Sequence, residues 1–578
     1  MSSCTAHAAK WPIGITAPAN APNVLLILTD DVGFGTSSTF GGPVPTPTFS
    51  ALARSGLRYN RFHTTALCSP TRAALLTGRY PHRIGMGRTT NLPSIFPGYT
   101  TVIPASAATV AQLLRAAGWS TAMFGKAHFT PEWETSSAGP FDRWPIGLGF
   151  DYFYGFLGAD TSAFEPALYE NTQPVPIVRT VDSDSEYHLE RDLANRAIRW
   201  IERHAAIAPQ KPWFIFYATG AAHAPHHAPP DWLTRFRGRF DRGWDELRLE
   251  TWRAQRRLGV IPADASLAPR PPWIPRWSSL SDERRRLYAR YMEAYAASLN
   301  FADEQIGRVI DAIRRTGRLH NTLIIYIQGD NGASTEGRLH GRFFEQTGIN
   351  NRAEDESWIA QRIDAIGGPD SYPLLPAGWG WALNAPFPGA KREASHLGGT
   401  RNALVISWPA QIPASTLVRT QFHHVVDVMP TILAAAGVEA PPTFAGVPQL
   451  PIDGISMTYT FSDPAASERR KVQVFESFEN LGYYADGWLL SSKAPAPATR
   501  GAEEWPSGTF EGRHWELYDL RHDFSQTKNL ASRAADRTDA MRKQLLDLAA
   551  AQQILPLHPP SAGQEGRPAL AAGRKHFV

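Results

Sequence analysis

Two pairs of oxygen-bearing side chains stand directly behind two of the most apolar segments of the chain. Asp30-Asp31 follows Asn23 to Thr29 (NVLLILT), and Asp330-Asn331 follows Thr322 to Gln328 (TLIIYIQ). Adjacent carboxylates repel one another, and a cation is the usual compensation. Three carboxylates and one amide carbonyl are hard oxygen donors, which suit Ca²⁺ or Mg²⁺ and not zinc. Taken singly, either pair also fits a turn or a cap, where Asp-Gly and Asn-Gly neighbours are common. A third segment, Leu67 to Pro81 (LCSPTRAALLTGRYP), places Cys68-Ser69-Pro70-Thr71-Arg72 at the start of a helix that Leu76-Thr77-Gly78-Arg79 closes. A cysteine at a helix N-terminus beside Arg72 sits where an anion is favoured. For a cysteine read alone, a buried structural role is the alternative.

These residues must be positioned by the elements before and after them. Asn23 to Thr29 reads as a strand buried on both faces, and Thr46-Pro47 to Gly56 encloses a short helix over Thr48 to Ser55. Ala107 to Ala117 predicts a helix closed by Gly118, and Trp119 to Phe124 a strand that leads to Lys126 and His128. An amphipathic helix over Leu189 to Ala205 precedes a strand at Trp213 to Thr219, after which come His223, His226 and His227. A long helix over Asp282 to Thr316 leads into the strand Thr322 to Gln328, and Asn402 to Trp408 is another strand. Helices alternating with buried strands predict an α/β fold, a large mostly parallel (mixed) sheet sandwiched by helices. In such sheets ligands bind beyond the carboxyl ends of the strands, and four of these strands end in polar residues with chemical capacity.

Two stretches, Phe240 to Ser278 and Glu345 to Ala390, show little period and read as long loops or insertions around a site. After about Pro451 the pattern changes to short strands (Lys471 to Phe475, Gly487 to Ser491, Trp515 to Leu520) and a final helix near Ala535 to Gln552. That pattern predicts a smaller C-terminal α+β domain with a short antiparallel sheet. The expected organisation is a leader at 1–20, a catalytic α/β domain at 21–455, a C-terminal subdomain at 456–555 and a flexible tail at 556–578. No repeat occurs at solenoid periods.

Composition narrows the class. Among 578 residues, 43% are apolar, 11% aromatic and 19% charged, which excludes a fibre, a coiled coil and a chain disordered throughout. The net charge, 58 − 54 = +4, argues against nucleic acid as partner. Only Cys4 and Cys68 are present, so at most one intramolecular disulfide can form. Lys10 has no apolar core behind it, and the apolar runs are of strand length, so a soluble cytoplasmic protein without a membrane partner is expected.

Cys-X-Pro-X-Arg followed by Leu-Thr-Gly-Arg resembles the signature of the type I sulfatases of the alkaline phosphatase superfamily. The resemblance runs along most of the chain. Asp30 and Asp31 match the family's first metal pair, and Asp330 and Asn331 its second. Lys126 and His128, in Gly-Lys-Ala-His, look like its Gly-Lys-X-His element, and Leu517-Tyr518-Asp519-Leu520 with Asn529-Leu530 is similar to its C-terminal segment. His223 resembles the substrate-binding histidine of the family, with His226 as the alternative. Lys391, upstream of His396-Leu397-Gly398-Gly399, resembles its second lysine, with Arg392 or His396 able to share that role.

The resemblance implies an arylsulfatase-like sulfuric ester hydrolase. It implies conversion of Cys68 to formylglycine by a separate modifying enzyme, and one Ca²⁺, with Mg²⁺ as the alternative, held by Asp30, Asp31, residue 68, Asp330 and Asn331. A hydrated formylglycine attacks sulfur with Asp330 as general base, while Arg72 orients it. Lys126 and Lys391 clamp the sulfate, His223 protonates the departing oxygen, and His128 takes the proton when sulfate is expelled. The expected partner is a small-molecule sulfate ester. The same constellation also fits a phosphonate monoester or phosphodiester hydrolase, and an unmodified Cys68 would leave an anion-binding protein. The aromatic residues of Trp244 to Trp277 and Gly378 to Trp381 either wall a pocket for an aryl leaving group or pack their insertion onto the sheet.

Overall fold

A computed structural model describes residues 14–177, 187–350, 352–494, 510 and 512–557. The expected leader and tail therefore lie largely outside the described residues. In chain order the strands are β1 (Asn23–Leu28), β2 (Leu57–His63), β3 (Ser120–Lys126), β4 (Tyr152–Phe156), β5 (Leu168–Glu170), β6 (Gln173–Val175), β7 (Trp213–Ala218), β8 (Thr322–Gln328), β9 (Arg401–Ser407) and β10 (His423–His424). They form one ten-stranded sheet in the order β10-β2-β9-β8-β1-β7-β3-β4-β5-β6. Five neighbours from β8 to β4 are parallel, and β9 runs against both β8 and β2.

Every residue of β1 is buried because both faces of the sheet are covered. Leu25 and Ile27 face a layer formed by helices α1 (Pro47–Ser55), α4 (Leu189–Ile207) and the second half of the long helix Asp282–Arg315. Val24, Leu26 and Leu28 face the opposite layer, with α2 (Cys68–Thr77), α3 (Val110–Ala116) and the helix Val428–Ala436. This is the doubly covered mixed sheet expected from the sequence. Local signals set the helices. In α4 the His188 ring accepts from the Glu190 N–H, and Leu189, Leu193, Ala197 and Ile201 repeat at four-residue spacing to form the buried stripe. The N–H groups of Thr48 and Phe49 in α1 are capped by the Asp303 carboxylate of the long helix, at 2.7 and 3.1 Å.

Beyond a small hairpin, β11 (Thr443–Phe444) and β12 (Val447–Pro448), four strands make an antiparallel meander: β13 (Val472–Ser477), β14 (Asn480–Ala485), β15 (Trp488–Ser492) and β16 (Glu516–Asp519). The helix Ala535–Ala551 covers it through Met541, Leu545 and Ala549, again at four-residue spacing. Among the described residues no helix is long and apolar enough to cross a membrane.

The structure corrects the sequence analysis in several places. Strands β2, β4 and β14 were not expected, because β2 interrupts its apolar residues with Arg58, Asn60 and Arg61, and β4 is five residues long with Gly155 inside it. The stretch read as irregular after Phe240 contains a fifteen-residue helix, Gly243–Arg257. Its buried stripe is Trp244, Leu247, Arg248, Thr251 and Gln255, so the helical period is carried partly by polar residues. Arg248 is buried because its guanidinium donates to the carbonyls of Trp381 (2.5 Å) and Phe387 (2.8 Å) and lies over the Trp381 ring. The stretch after Glu345 likewise holds three short helices, Glu345–Ile349, Glu356–Ala360 and Ala377–Leu383. The aromatic residues of these insertions pack on one another: Trp244 meets Trp277 and Trp379 at ring distances of 4.8 and 5.7 Å. Of the two roles open to them, packing is the observed one.

The main sheet is tied to the C-terminal meander by a buried ion pair. Asp427 accepts from Arg470 through both guanidinium branches, and also from the backbone N–H groups of His424 (3.0 Å) and Ile455 (2.8 Å). Burial alone would raise this carboxyl, but Arg470 and His423 hold it well below the usual carboxylate range. Its stabilising contribution is complete above the ordinary value of 3.8 and is lost as pH falls toward the depressed folded value. Asp427→Asn is expected to lower unfolding free energy by about 3 kcal/mol, since Arg470 is left buried without its counter-charge. The variant should also lose part of the acid sensitivity of the melting temperature, which thermal melts between neutral pH and pH about 3 would measure.

Candidate active site

Four adjacent parallel strands, β8-β1-β7-β3, deliver chemistry to one edge of the sheet. Leu28 pairs with Ile327, so Asp30-Asp31 and Asp330-Asn331 leave side by side, and the Asp31 N–H lies 3.4 Å from Asp330 Oδ1. The turn between β8 and Asp330 requires Gly329, at φ +96, where a Cβ would stand 2.1 Å from the Val32 carbonyl oxygen. Lys126 is the last residue of β3, which runs two residues further than the sequence predicts, and His128 follows. His223 lies in the loop after β7. Because β9 is antiparallel, its N-terminal end reaches the same edge and brings the segment containing Lys391.

Arg72 is the hub of the cluster. It is fully buried, and its guanidinium donates to Asp330 Oδ2 (Nε, 3.0 Å), to Asp30 Oδ2 (Nη2, 3.2 Å) and to the Lys126 carbonyl oxygen (Nη1, 2.9 Å). Lys126 Nζ also reaches Asp30 Oδ2. On the far side, Lys391 Nζ donates to Asp31 Oδ2 (3.1 Å) and to Glu336 Oε2 (2.8 Å) and meets His223 Nε2 at 3.1 Å. His223 Nδ1 faces the Ala224 carbonyl oxygen at 2.7 Å, which fixes a proton on Nδ1 and leaves Nε2 the acceptor toward Lys391.

Within the cluster Asp30, Asp31 and Asp330 face Arg72, Lys126 and Lys391, and Glu336 adds a fourth carboxylate on Lys391. Burial would raise Asp30, yet Lys126, His223 and Arg72 hold it far below the usual range. Asp330 moves the other way, pushed up by burial and then by Asp30 beside it. The same buried cations that permit Asp30 to ionise do not suffice for Cys68. Burial pushes its thiol up to about 12, against the pull of Lys126 and Lys391. The helix start beside Arg72 is thus a place where the unmodified side chain remains a neutral thiol, contrary to the anion-favouring character expected from sequence. Arg72 spends its donors on Asp30, Asp330 and a carbonyl.

The donor set fits a hard divalent cation. Ligand atoms of Asp30, Asp31 and His223 lie within 4.8 Å of one another. Asp30 Oδ1 and Asn331 Oδ1 are buried oxygens without a hydrogen-bond partner, as a metal-binding oxygen requires when its ion is absent. Asn331 Nδ2 donates to Asp31 Oδ1 at 2.6 Å, which turns its carbonyl oxygen away from that contact.

The alternatives left by the sequence lie in different surroundings. His226 packs edge-to-face on Tyr295, 5.1 Å away, and makes none of the contacts of His223. Arg392 lies over the Phe478 ring, and His396 turns to Glu516 at 3.3 Å, so Lys391 alone of the three reaches Asp31. Sequence reasoning missed Glu336, which shares Lys391, and Thr71, whose hydroxyl donates to the Asp330 carbonyl oxygen at 2.6 Å. A carboxylate six residues beyond Asp330 in the same post-strand loop was the available signal for Glu336. Burial would raise its pKa, but Lys391 and then Arg392 hold it at about 2.

Residues 22–438 match the family model described as Sulfatase. The chain belongs to the sulfatase family. An arylsulfatase of Klebsiella aerogenes is 30% identical over 473 residues, covering 79% of this chain and 95% of its own. An uncharacterized sulfatase of Schizosaccharomyces pombe is 31% identical over 541 residues, 89% of this chain and 91% of its own. Among solved structures, that of the PsFucS1 sulfatase from Pseudoalteromonas sp. has a TM-score of 0.59 at 19% identity, covering 94% and 92% of the two chains, a likeness of fold. The protein is a sulfuric ester hydrolase of this family.

One consequence concerns the thiol. In the native sulfatase an unmodified Cys68, 2% exposed and with its pKa near 12, is expected to resist iodoacetamide at mildly alkaline pH and to react only after unfolding. Mass analysis of the peptide Phe62 to Arg72 after native and denaturing treatment reads this directly, apart from Cys4.

Proposed function

We propose that the protein cleaves sulfate monoesters to an alcohol or phenol and sulfate, using formylglycine formed from Cys68 by a modifying enzyme and one Ca²⁺ held by Asp30, Asp31, residue 68, Asp330 and Asn331. The observation that carries this reading is the convergence of four parallel strand ends on one buried, charge-balanced cluster around Cys68. That cluster sets Asp30, Asp31, Asp330 and Glu336 against Arg72, Lys126 and Lys391, an excess of carboxylate that suits a bound dication. The catalytic domain is taken as residues 21–455 and the C-terminal subdomain as 456–555.

When bound, the cation supplies Lewis acidity toward the nucleophile and the sulfate oxygens. Hydrated formylglycine supplies one hydroxyl for attack at sulfur and a second whose deprotonation expels sulfate, which a thiol lacks. The remaining work belongs to side chains. Lys126 and Lys391, both kept charged by carboxylates despite burial, neutralise the nonbridging oxygens. Asp330, with its raised carboxyl, holds the proton taken from the attacking hydroxyl. His223 serves the departing oxygen as proton donor in its doubly protonated form, in which Nδ1–H stays on the Ala224 carbonyl oxygen and Nε2 carries a proton in place of accepting from Lys391. His128 is kept neutral by burial and by Lys126 and Arg72, and its unpartnered Nδ1 accepts the proton of the second hydroxyl. Arg72 positions Asp30 and Asp330 around residue 68.

Expression in a host that makes formylglycine should give the peptide Phe62 to Arg72 with an aldehyde in place of the thiol, and Cys68→Ala should abolish turnover. An intact thiol in a fully active preparation, or substantial turnover by the variant, overturns the assignment. With paired nitrophenyl sulfate and phosphonate substrates, kcat/KM should favour the sulfate; a ratio favouring the phosphonate overturns the proposed ester class.

Asp31→Ala should weaken Ca²⁺ binding by at least tenfold, because a hard-cation site loses a charged ligand. A calcium titration followed by calorimetry reads this without any assay of turnover, and unchanged affinity removes Asp31 from the site.

A further inference from the structure

Past His223, away from Arg72, a small pocket open to solvent adjoins the cluster. Its lining includes Asp160, Thr161, Glu190, His223, His227 and Ser298. Two carboxylates, Asp160 and Glu190, are among its lining residues. Asp160 Oδ1 accepts from the Tyr372 hydroxyl at 2.9 Å. Glu190, 4% exposed, accepts from Thr219 Oγ1 at 2.5 Å through Oε1, while its Oε2 is buried with no partner. Glu345 stands just beyond this lining, its N–H donating to the Tyr372 carbonyl oxygen at 3.0 Å; its Oε2 is a buried oxygen without a partner, and burial pushes its carboxyl up to about 7. The cationic groups nearby are committed elsewhere: Lys391 to Asp31 and Glu336, and Arg392 to Glu336 at 3.7 Å and to the Phe478 ring.

A sulfatase must hold an anion at one end of its substrate, and here the adjoining space carries the opposite preference. We propose that this pocket receives the alcohol portion of the ester and selects an alcohol bearing a positively charged amine, with Asp160 and Glu345 as the specificity-determining carboxylates. A cationic donor entering the pocket meets the Asp160 carboxylate, whereas a second anion would meet that charge with Lys391 and Arg392 already engaged by carboxylates. The inference rests on the assignment of His223 and Lys391 to the sulfate end of the substrate.

The test uses three esters of closely similar leaving-group acidity that differ in one terminal group: the O-sulfates of tyramine, para-hydroxyphenylethanol and para-hydroxyphenylacetate. kcat/KM is expected to fall from the ammonium ester to the neutral one and again to the carboxylate, by roughly tenfold at each step. Asp160→Asn and Glu345→Gln should each compress that range, with the effect weakening at high salt. The same order is expected in the affinities of the three esters for Cys68→Ala measured by calorimetry, which requires no turnover. A flat or reversed order in an active enzyme, or a range unchanged in both variants, overturns the pocket assignment and leaves the hydrolase reading intact. Loss of turnover for all three esters with the binding order preserved overturns the catalytic assignment and supports the pocket.

Discussion

The arrangement depends on one buried guanidinium. Arg72 lies in the first turns of α2 and reaches across the edge of the sheet to the carboxylates behind β1 and β8 and to the last carbonyl of β3. Three strand ends and a helix are thereby fixed relative to one another by a single planar fork, a geometry that a lysine could not reproduce. Removing such a charge from water is expensive, and it is tolerated here because every direction in which the fork points ends in an oxygen. Asp30 and Asp330 in turn can lie beside each other only because Arg72 and Lys126 stand between them and solvent is excluded. Their carboxyls part in opposite directions, one held ionised and the other raised, which equips adjacent groups for different tasks.

The fold and the site were legible in the sequence to different depths. The buried central strands announced themselves as unbroken apolar runs, and the polar residues behind them stood out for that reason. The short β4 and the interrupted β2, away from the centre of the sheet, gave no such run. The helix Gly243–Arg257 was hidden because Arg248 and Gln255 occupy its inward face, held there by carbonyls that only the folded insertion supplies. Long-range partners were the least legible. Glu336 is an ordinary loop glutamate until the chain brings Lys391 to it, and which of Lys391, Arg392 and His396 meets Asp31 is set by the path of the chain into β9 and not by the residues themselves. The thiol of Cys68 shows the limit of local reasoning most directly, since a helix start and a neighbouring arginine point to an anion while complete burial decides otherwise.

The insertions and the C-terminal meander act as supports for this edge. The tryptophans at 244, 277 and 379 form a rigid aromatic block under the loop that carries the segment from Glu336 to Lys391. From the other side Gln526 accepts from the Leu397 N–H (2.9 Å) and donates to the Ser395 carbonyl oxygen (3.0 Å), bracing the residues between Lys391 and β9. Precision at the site is therefore purchased far from it, through packing and backbone hydrogen bonds that never touch a reacting atom.

The pairing of Asp31 with Lys391 spans 360 positions of the chain, and that of Asp31 with Asn331 spans 300. A ribosome adding roughly 5–20 residues per second needs on the order of tens of seconds to bring these partners into existence. Throughout that interval the acidic pair behind the first strand has neither its amide nor its ammonium neighbour, and β1 lacks β8, one of its two hydrogen-bonded flanks. The nascent chain thus emerges with the centre of its sheet unfinished, and the parts of the site made first are among the last to become native.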